Sequence, residues 1–199
     1  DVAPPPEPAA PTAPVNGASL LDVLVARLAP LGPPAHRVWL PPLDAPPGLD
    51  DLLGPLRVDP ARGLTTANPD LHGALQVPVA HVDKPLEQRR DTLWLPLESS
   101  GGHVAVVGSA RTGKSTLLRT IVTSLALTHT TAEARVYCLD FGGGTLATLA
   151  GLPHVGGVAG RQETTAVRRT VAELVTLLAE REREPLDAAN RAHVFLVVD

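Results

Sequence analysis

One eight-residue motif constrains the fold of this chain more than any other feature. Residues 108–115 read GSARTGKS and fit the phosphate-binding pattern G-x-x-x-x-G-K-[ST]. The apolar run 103–107 before it predicts a short buried strand, and residues 116–127 after it carry apolar side chains at helical spacing. In such a loop, backbone N–H groups and the positive end of the helix dipole surround an anion. The motif therefore predicts a site for the phosphates of a nucleoside triphosphate.

The motif also predicts a role for each of its residues. Lys114 is expected to contact the β- and γ-phosphates, and the Ser115 hydroxyl is expected to hold Mg²⁺, so the expected cofactors are ATP and Mg²⁺. The alternative is a chance glycine turn before a helix, which the flanking patterns disfavour. The other residues expected to bind the nucleotide are Gly108, Ser109, Ala110, Arg111, Thr112, Gly113 and Thr116.

A second nucleotide signature closes the sequence. The apolar run 194–198 leads to Asp199, and a carboxylate at the tip of a buried strand can orient the water shell of Mg²⁺. Asp199 is therefore a candidate catalytic residue with Lys114, and a candidate magnesium ligand with Ser115. Hydrolysis also needs a base or polariser for the attacking water, often a Glu directly after this Asp, and the sequence ends one residue earlier. The pattern predicts nucleotide binding and leaves turnover open.

The order of patterns from residue 103 onward predicts an α/β fold. Strand, loop, helix, strand, helix and strand follow one another, which implies a parallel sheet with right-handed crossovers and flanking helices. The second strand is expected over 135–140, and the closing strand is 194–198. A long helix is expected over 164–182, with one apolar face made by Val167, Val171, Leu174, Val175 and Leu178.

Composition divides the chain into three predicted segments. Residues 1–18 form a Pro/Ala-rich linker, and 19–74 form a loop-rich inter-domain segment with a short helix that starts at Ser19. A helical turn is expected over 49–53. Residues 75–199 form the nucleotide domain, incomplete at its C-terminus, and it opens with two strands over 75–82 and 93–97. The sequence contains no Met, so we interpret it as a segment of a longer polypeptide.

Charge and cysteine content exclude several classes of function. The net charge is −4, which argues against a surface dominated by non-specific contacts to nucleic acid. Cys138 is the one cysteine, so an intrachain disulfide is excluded and a buried thiol is expected. No stretch approaches the ~20 apolar residues of a membrane span.

Three further features have two readings each. The triglycine 142–144 after the second strand is either a tight turn or a contact to nucleotide or a neighbouring subunit. His154 lacks a partner at metal-ligand spacing, so a packing or hydrogen-bonding role is expected. Arg161, Arg168 and Arg169 are either solvated or candidates for an arginine finger that reaches a neighbour's γ-phosphate.

Several longer runs add a family resemblance. Together with the phosphate loop, the runs 32–43 (GPPAHRVWLPPL), 82–91, 125–130, 137–144 and 152–159 resemble the FtsK/SpoIIIE group of P-loop ATPases. Within that group they resemble the EccC proteins of type VII (ESX) secretion. The resemblance covers nearly all of 19–182 and implies a RecA/FtsK-like fold. The linker run 32–43 resembles the one before the second of three tandem ATPase domains. One departure is a short 183–193 connection before the last strand.

The resemblance implies a membrane-associated motor on the cytoplasmic side of the membrane. Its expected partners are other ATPase domains of the same or a sister subunit, the secretion membrane complex and helical-hairpin substrates of the WXG100 type, with a homo-oligomer such as a hexamer. Gly113, Lys114, Ser115 and Asp199 carry over as the ATP and Mg²⁺ site. Two alternatives stay open: an ATP-binding regulatory or scaffolding module, and a DNA translocase, which the acidic balance disfavours.

Overall fold

The computed structural model describes residues 17–33, 35, 40–43, 45–98, 102–183 and 192–199. The chain divides into two compact units, 1–38 and 39–199. The predicted linker therefore lies outside the described residues except at its last two positions. The predicted boundaries after residues 18 and 74 remain predictions.

The first unit contains the predicted short helix, α1 (Leu20–Leu28). Ser19 caps it reciprocally with Asp22: the Asp22 N–H donates to the Ser19 hydroxyl at 3.1 Å, and the Ser19 N–H donates to the Asp22 carboxylate at 2.9 Å. The helix and its start are confirmed, whereas its apolar stripe is exposed within the described residues.

The second unit combines an antiparallel part with a parallel part. The two hairpins pair β1 with β2 and β3 with β4, and the parallel sheet has the strand order β6-β5-β7. A β-bulge between Pro78 and Ala80 interrupts the second hairpin. The elements are α2 (Leu49–Leu53), β1 (Leu56–Asp59), β2 (Gly63–Thr66), β3 (Gln76–Lys84), β4 (Arg89–Pro96), α3 (Lys114–Thr128), β5 (Ala134–Asp140), β6 (Val155–Gly160), α4 (Thr164–Arg183) and β7 (His193–Val198), with short 3₁₀ turns at Pro69–Leu71 and Thr145–Leu149.

Most of the elements predicted for the second unit are present. The predicted helical turn corresponds to α2, the two predicted entry strands to β3 and β4, and the predicted later elements to β5, α4 and β7. The stretch 83–91, expected to separate the entry strands, is largely paired: Asp83 lies opposite Arg90 and Lys84 opposite Arg89. The β1–β2 hairpin was missed because its region was interpreted as loop-rich. The strand β6 was missed because three of its six residues are glycine.

One predicted strand is wrong. Residues 103–107 form no strand in the structure, and Val104 and Val107 are 42% and 93% exposed. Apolar β-branched residues favour a strand only where a neighbouring strand offers a ladder of hydrogen bonds. In the described part of the chain β7 pairs with β5 on one side and does not pair with this segment. The parallel sheet therefore has three described strands, and the phosphate loop starts from a largely exposed segment without regular secondary structure.

The core of the second unit lies between α3, the β3–β4 hairpin and the parallel sheet. Val122 and Leu125 of α3 are buried against Val77 of β3 and Val136 of β5. Cys138 is buried in the same cluster as expected, and burial, followed by the nearby Asp140, raises the pKa of its thiol to about 11. The predicted apolar face of α4 is not buried among the described residues: Val175 is 61% exposed.

A polar anchor holds the first hairpin to the C-terminal end of α3. Arg62 forms two hydrogen bonds with the Glu133 carboxylate, at 2.6 and 3.1 Å, and donates a third to the carbonyl of Thr128 at 2.9 Å. Glu133 also accepts the Thr130 N–H at 2.7 Å. A bidentate pair of this kind fixes geometry as well as charge, so it sets the position of the loop after α3.

Two buried histidines lie beside this anchor. The His154 imidazole bonds the carbonyl of His129 at 2.8 Å, so the predicted hydrogen-bonding role of His154 is confirmed. The His129 ring is within 2.8 Å of the Thr128 hydroxyl. Burial lowers the pKa of His129 below its usual 6.5, and the nearby Glu133 only partly opposes that effect. His129 is therefore held neutral in the folded protein.

We expect the stability of the chain to fall as the pH is lowered below about 6.5, because the unfolded state then binds a proton at His129 that the folded state rejects. The free energy of unfolding should decrease by at most about 1.4 kcal/mol per pH unit. Urea denaturation between about pH 7.5 and 5.5 measures this slope, and His129→Asn should flatten it. The exposed His103→Asn is the control; equal slopes in both variants would assign the effect to another group.

Candidate nucleotide-binding site

The phosphate loop has the backbone that its sequence predicts. Gly113 has a φ of +88° and caps the N-terminus of α3, and Arg111 also has a positive φ of +61°. The Thr112 hydroxyl donates to the Ser109 carbonyl at 2.9 Å across the loop. A Cβ at Gly108 would lie only 2.6 Å from that hydroxyl, so a larger residue there would displace the Thr112 side chain from its hydrogen bond. The structure thus provides a compact, exposed turn at a helix start.

Lys114 spans this turn. Its ammonium group donates hydrogen bonds to the carbonyls of Ser109 at 2.7 Å and Gly108 at 3.1 Å. Both carbonyls belong to the loop itself, and Lys114 makes no ion pair among the described residues. The positive charge therefore stays at the loop, where an incoming phosphate would meet it.

The start of α3 supplies further donors. The first intrahelical hydrogen bond runs from the Leu117 N–H to the Gly113 carbonyl at 2.9 Å. The N–H groups of Lys114, Ser115 and Thr116 precede it and have no intrahelical acceptor, which is general at helix N-termini. With the lysine they form a cluster of donors that suits an anion with several oxygens.

The structure places Asp199 beside the turn that follows β5. Its carbonyl accepts the Phe141 N–H at 2.8 Å, and its N–H donates to Leu139 at 3.0 Å. Its carboxylate accepts the Thr145 hydroxyl at 3.3 Å, and a Cβ on Gly142 would lie 2.8 Å from the carboxylate carbon. Within the described residues no hydrogen bond joins Asp199 to Ser115 or Lys114. The roles predicted for these three residues stay predictions.

Asp140 organises that neighbouring turn, and the sequence analysis missed its role. Its carboxylate accepts the N–H groups of Leu146 at 2.7 Å, Gly144 at 2.9 Å and Gly143 at 3.2 Å. Burial by itself would raise the pKa of Asp140, but these backbone donors together hold it below its usual value. The φ angles of Gly143 and Gly144 are +137° and +84°. The triglycine therefore forms a tight turn, which was one of its two predicted roles. An Asp two residues before three consecutive glycines is the signal that could have revealed this cap.

The three arginine-finger candidates occupy different places. Arg161 follows β6 and donates to the Phe141 carbonyl at 3.0 Å, at the same sheet edge as Asp199. Arg168 and Arg169 are exposed on α4. A finger acts across a subunit boundary, so these candidates stay predictions. Among the described residues, no group of three or more His, Cys, Asp or Glu side chains could hold a metal, and no helix is long and apolar enough to cross a bilayer.

Comparison with known proteins decides the family. The model of the FtsK/SpoIIIE family matches residues 74–195. The chain belongs to the FtsK/SpoIIIE family. It is 56% identical over 166 residues to the ESX secretion system protein EccC of Thermomonospora curvata, which covers 83% of this chain. The family resemblance found in the sequence is therefore confirmed, and so is the mixed α/β class of the fold.

Solved structures of EccC proteins have the same fold as this chain. The cytoplasmic domain of the T. curvata type VII secretion ATPase EccC matches 93% of this chain and 24% of its own, with a TM-score of 0.84 and 49% identity. A second structure, of EccC ATPases 2 and 3 in complex with a signal sequence peptide, matches 81% of this chain and 32% of its own, with a TM-score of 0.75 and 50% identity. The chain spans 13% of the length of the EccC relative.

We expect Asp140→Asn to destabilise this family member by about 2–3 kcal/mol, because an amide loses the charge and turns a donor toward N–H groups that need an acceptor. Urea denaturation at neutral pH measures the loss. The exposed Asp70→Asn, which caps no turn with its side chain, should change stability by less than about 0.5 kcal/mol. A similar small change for both variants would contradict the capping role of Asp140.

Proposed function

We propose that this chain binds Mg²⁺·ATP at residues 108–116 and serves as an ATPase module of a type VII secretion machine. The observation that carries the proposal is the geometry of the loop. Lys114, the free N–H groups at the start of α3 and the left-handed Gly113 converge on one exposed turn. Such convergence of donors at a helix start is what binding of a polyphosphate requires.

The donor chemistry present fits magnesium rather than a softer metal. Ser115 offers a hydroxyl and Asp199 a carboxylate, both hard oxygen ligands, and Mg²⁺ commonly keeps several waters and takes one or two protein ligands with substrate phosphates. In this proposal Ser115 and Asp199 hold the ion, which would neutralise charge on the phosphates. Lys114 then leaves the carbonyls of Gly108 and Ser109 and binds the phosphates.

The role in secretion is inferred from relatives. EccC proteins are ESX secretion system proteins, and one matching structure contains EccC ATPases 2 and 3 with a signal sequence peptide. We propose that this chain corresponds to the second ATPase domain and works beside other ATPase domains, in a homo-oligomer on the cytoplasmic side of the membrane. Its proposed partners are the secretion membrane complex and WXG100-type substrates. The net charge of −4 supports this role over DNA translocation.

We expect Lys114→Ala to weaken Mg²⁺·ATP binding by roughly ten- to a hundredfold, because a charge-assisted contact to phosphate is worth about 1.5–3 kcal/mol. Isothermal titration calorimetry on the chain measures this. Lys84→Ala is the matched control, since Lys84 pairs with Asp91 on the β3–β4 hairpin. Equal ATP affinity in wild type and Lys114→Ala would overturn the proposed site.

Hydrolysis by the full-length protein is the second readout for the same variant. A collapse of activity in Lys114→Ala places turnover at this site and supports a motor. Unchanged or higher activity assigns hydrolysis to another domain and makes this one a nucleotide-responsive regulatory module.

The magnesium role of Asp199 is tested separately. We expect Asp199→Asn to reduce the gain in ATP affinity that Mg²⁺ brings by about tenfold, and to leave affinity in EDTA nearly unchanged, because the amide cannot replace a charged oxygen ligand. Titrations with and without Mg²⁺ give both values, with Asp70→Asn as the control. If Asp199→Asn keeps the full magnesium effect, Asp199 is not part of the ion site.

A further inference from the structure

The glycine run 142–144 contains one glycine that its backbone conformation does not require. Gly143 and Gly144 have φ angles of +137° and +84°, in the left-handed region that favours glycine. The φ angle of Gly142 lies outside that region, so alanine could adopt the same backbone conformation. Any constraint on residue 142 therefore comes from the side chains around it.

The carboxylate of Asp199 lies in the space where a side chain at residue 142 would begin. The three atoms nearest to a Cβ on Gly142 all belong to that carboxyl group: Cγ at 2.8 Å, Oδ2 at 2.8 Å and Oδ1 at 3.0 Å. These distances are well below the roughly 3.5–4.0 Å of a normal carbon contact, so alanine would displace the carboxylate. Glycine at 142 thus allows Asp199 to adopt the orientation that it has in this structure.

Thr145 donates a hydrogen bond to the same carboxylate. Its hydroxyl lies 3.3 Å from Oδ2 of Asp199, and within the described part of the chain this is the one hydrogen bond that the carboxylate accepts. An ionised carboxylate has two oxygens with about four lone-pair sites, so a single donor occupies only a small part of its capacity. The Oδ1 oxygen therefore remains available to a cation or to a water bound to it.

Both partners of this hydrogen bond are attached to well-supported backbone. The N–H of Asp199 donates to the Leu139 carbonyl at 3.0 Å, and its carbonyl accepts the Phe141 N–H at 2.8 Å. Thr145 directly precedes Leu146, whose side chain is buried in the core cluster. Functional side chains are oriented most precisely when their supporting residues are themselves held by packing and hydrogen bonds. The position of the carboxylate is thus fixed by the fold rather than by a free loop.

We propose that Gly142 and Thr145 are positioning residues for Asp199, and that they orient its carboxylate for binding Mg²⁺. Gly142 leaves the space that the carboxylate needs, and Thr145 holds Oδ2 so that Oδ1 stays free for the ion or one of its waters. Partners of this kind, which orient a metal ligand without touching the metal, commonly affect affinity by ten- to a hundredfold. The inference rests on the ion site proposed above and extends it to the residues that hold one of its ligands.

Two variants, each with a matched control, test the two positioning residues. Gly142→Ala adds one methyl group against the carboxylate, whereas Gly151→Ala adds it where no atom lies within 4 Å and the φ angle is also outside the left-handed region. Thr145→Val removes the donor, and Thr145→Ser keeps it. Thr148→Val is the control, because the Thr148 hydroxyl lies in the same 3₁₀ turn and bonds the Thr145 carbonyl at 3.0 Å. Thermal unfolding checks that each variant folds.

The readout is the gain in ATP affinity that Mg²⁺ brings, from isothermal titration calorimetry on the chain with Mg²⁺ and with EDTA. We expect Gly142→Ala to reduce this gain about tenfold, and Thr145→Val about fivefold, the loss of roughly one hydrogen bond. Thr145→Ser and both controls should keep it within about twofold, and affinity in EDTA should stay within about twofold throughout. Adding Gly142→Ala to Asp199→Asn should cause no further loss, because both changes act on one carboxylate.

Other outcomes overturn the proposal in distinguishable ways. A full magnesium effect in Gly142→Ala and Thr145→Val, with the effect lost in Asp199→Asn, would leave the ion site intact and show that neither residue positions its ligand. Equal weakening with Mg²⁺ and with EDTA would indicate general damage and also contradict a positioning role. A loss in Thr145→Ser as large as in Thr145→Val would contradict the role of the hydroxyl. A full effect in Asp199→Asn would remove the ion site itself, and this inference with it.

Discussion

The burial of one face of α3 is the interaction on which the rest of the second unit depends. Val122 and Leu125 are at most 1% exposed and lie between the β3–β4 hairpin and the parallel sheet. Burying each such side chain contributes about 1.5–3 kcal/mol, so the helix cannot shift without losing core packing. Its N-terminus carries the phosphate loop and its C-terminal end receives the Arg62 anchor. A rigid helix thus connects the exposed candidate site to the interior of the protein.

Sequence patterns predicted the structural features that depend on residues close together in the chain. The cap at Ser19, the helix that follows the phosphate loop and the extent of α4 were predicted from local patterns, and the structure has each of them. The parallel strand β6 depends on pairing with β5 far along the chain, and its glycines carry no strand signal. The segment 103–107 has the strand signal but no described partner strand, so pattern and structure differ there.

The candidate site shows the same difference between features set by local sequence and features set by distant contacts. The phosphate motif predicts a tight loop with Gly113 at the helix cap, because that backbone needs glycine and a local hydrogen bond. It does not predict Asp140 as the residue that fixes the neighbouring turn, since that role needs three N–H groups to converge from 143–146. Sequence therefore predicts the phosphate loop, and tertiary structure is needed to find the residues that fix its surroundings.

The hydrogen bonds from Lys114 to Ser109 and Gly108 have a consequence for selectivity. Any anion that binds the loop competes with the protein's own carbonyl oxygens for the ammonium protons. A ligand with one weakly charged oxygen gains little from that exchange, whereas a polyphosphate replaces two neutral acceptors with charged ones and also engages the helix N–H groups. In the proposed site, the loop's own carbonyl oxygens would therefore select against simple anions, and binding would move the lysine from one set of acceptors to another.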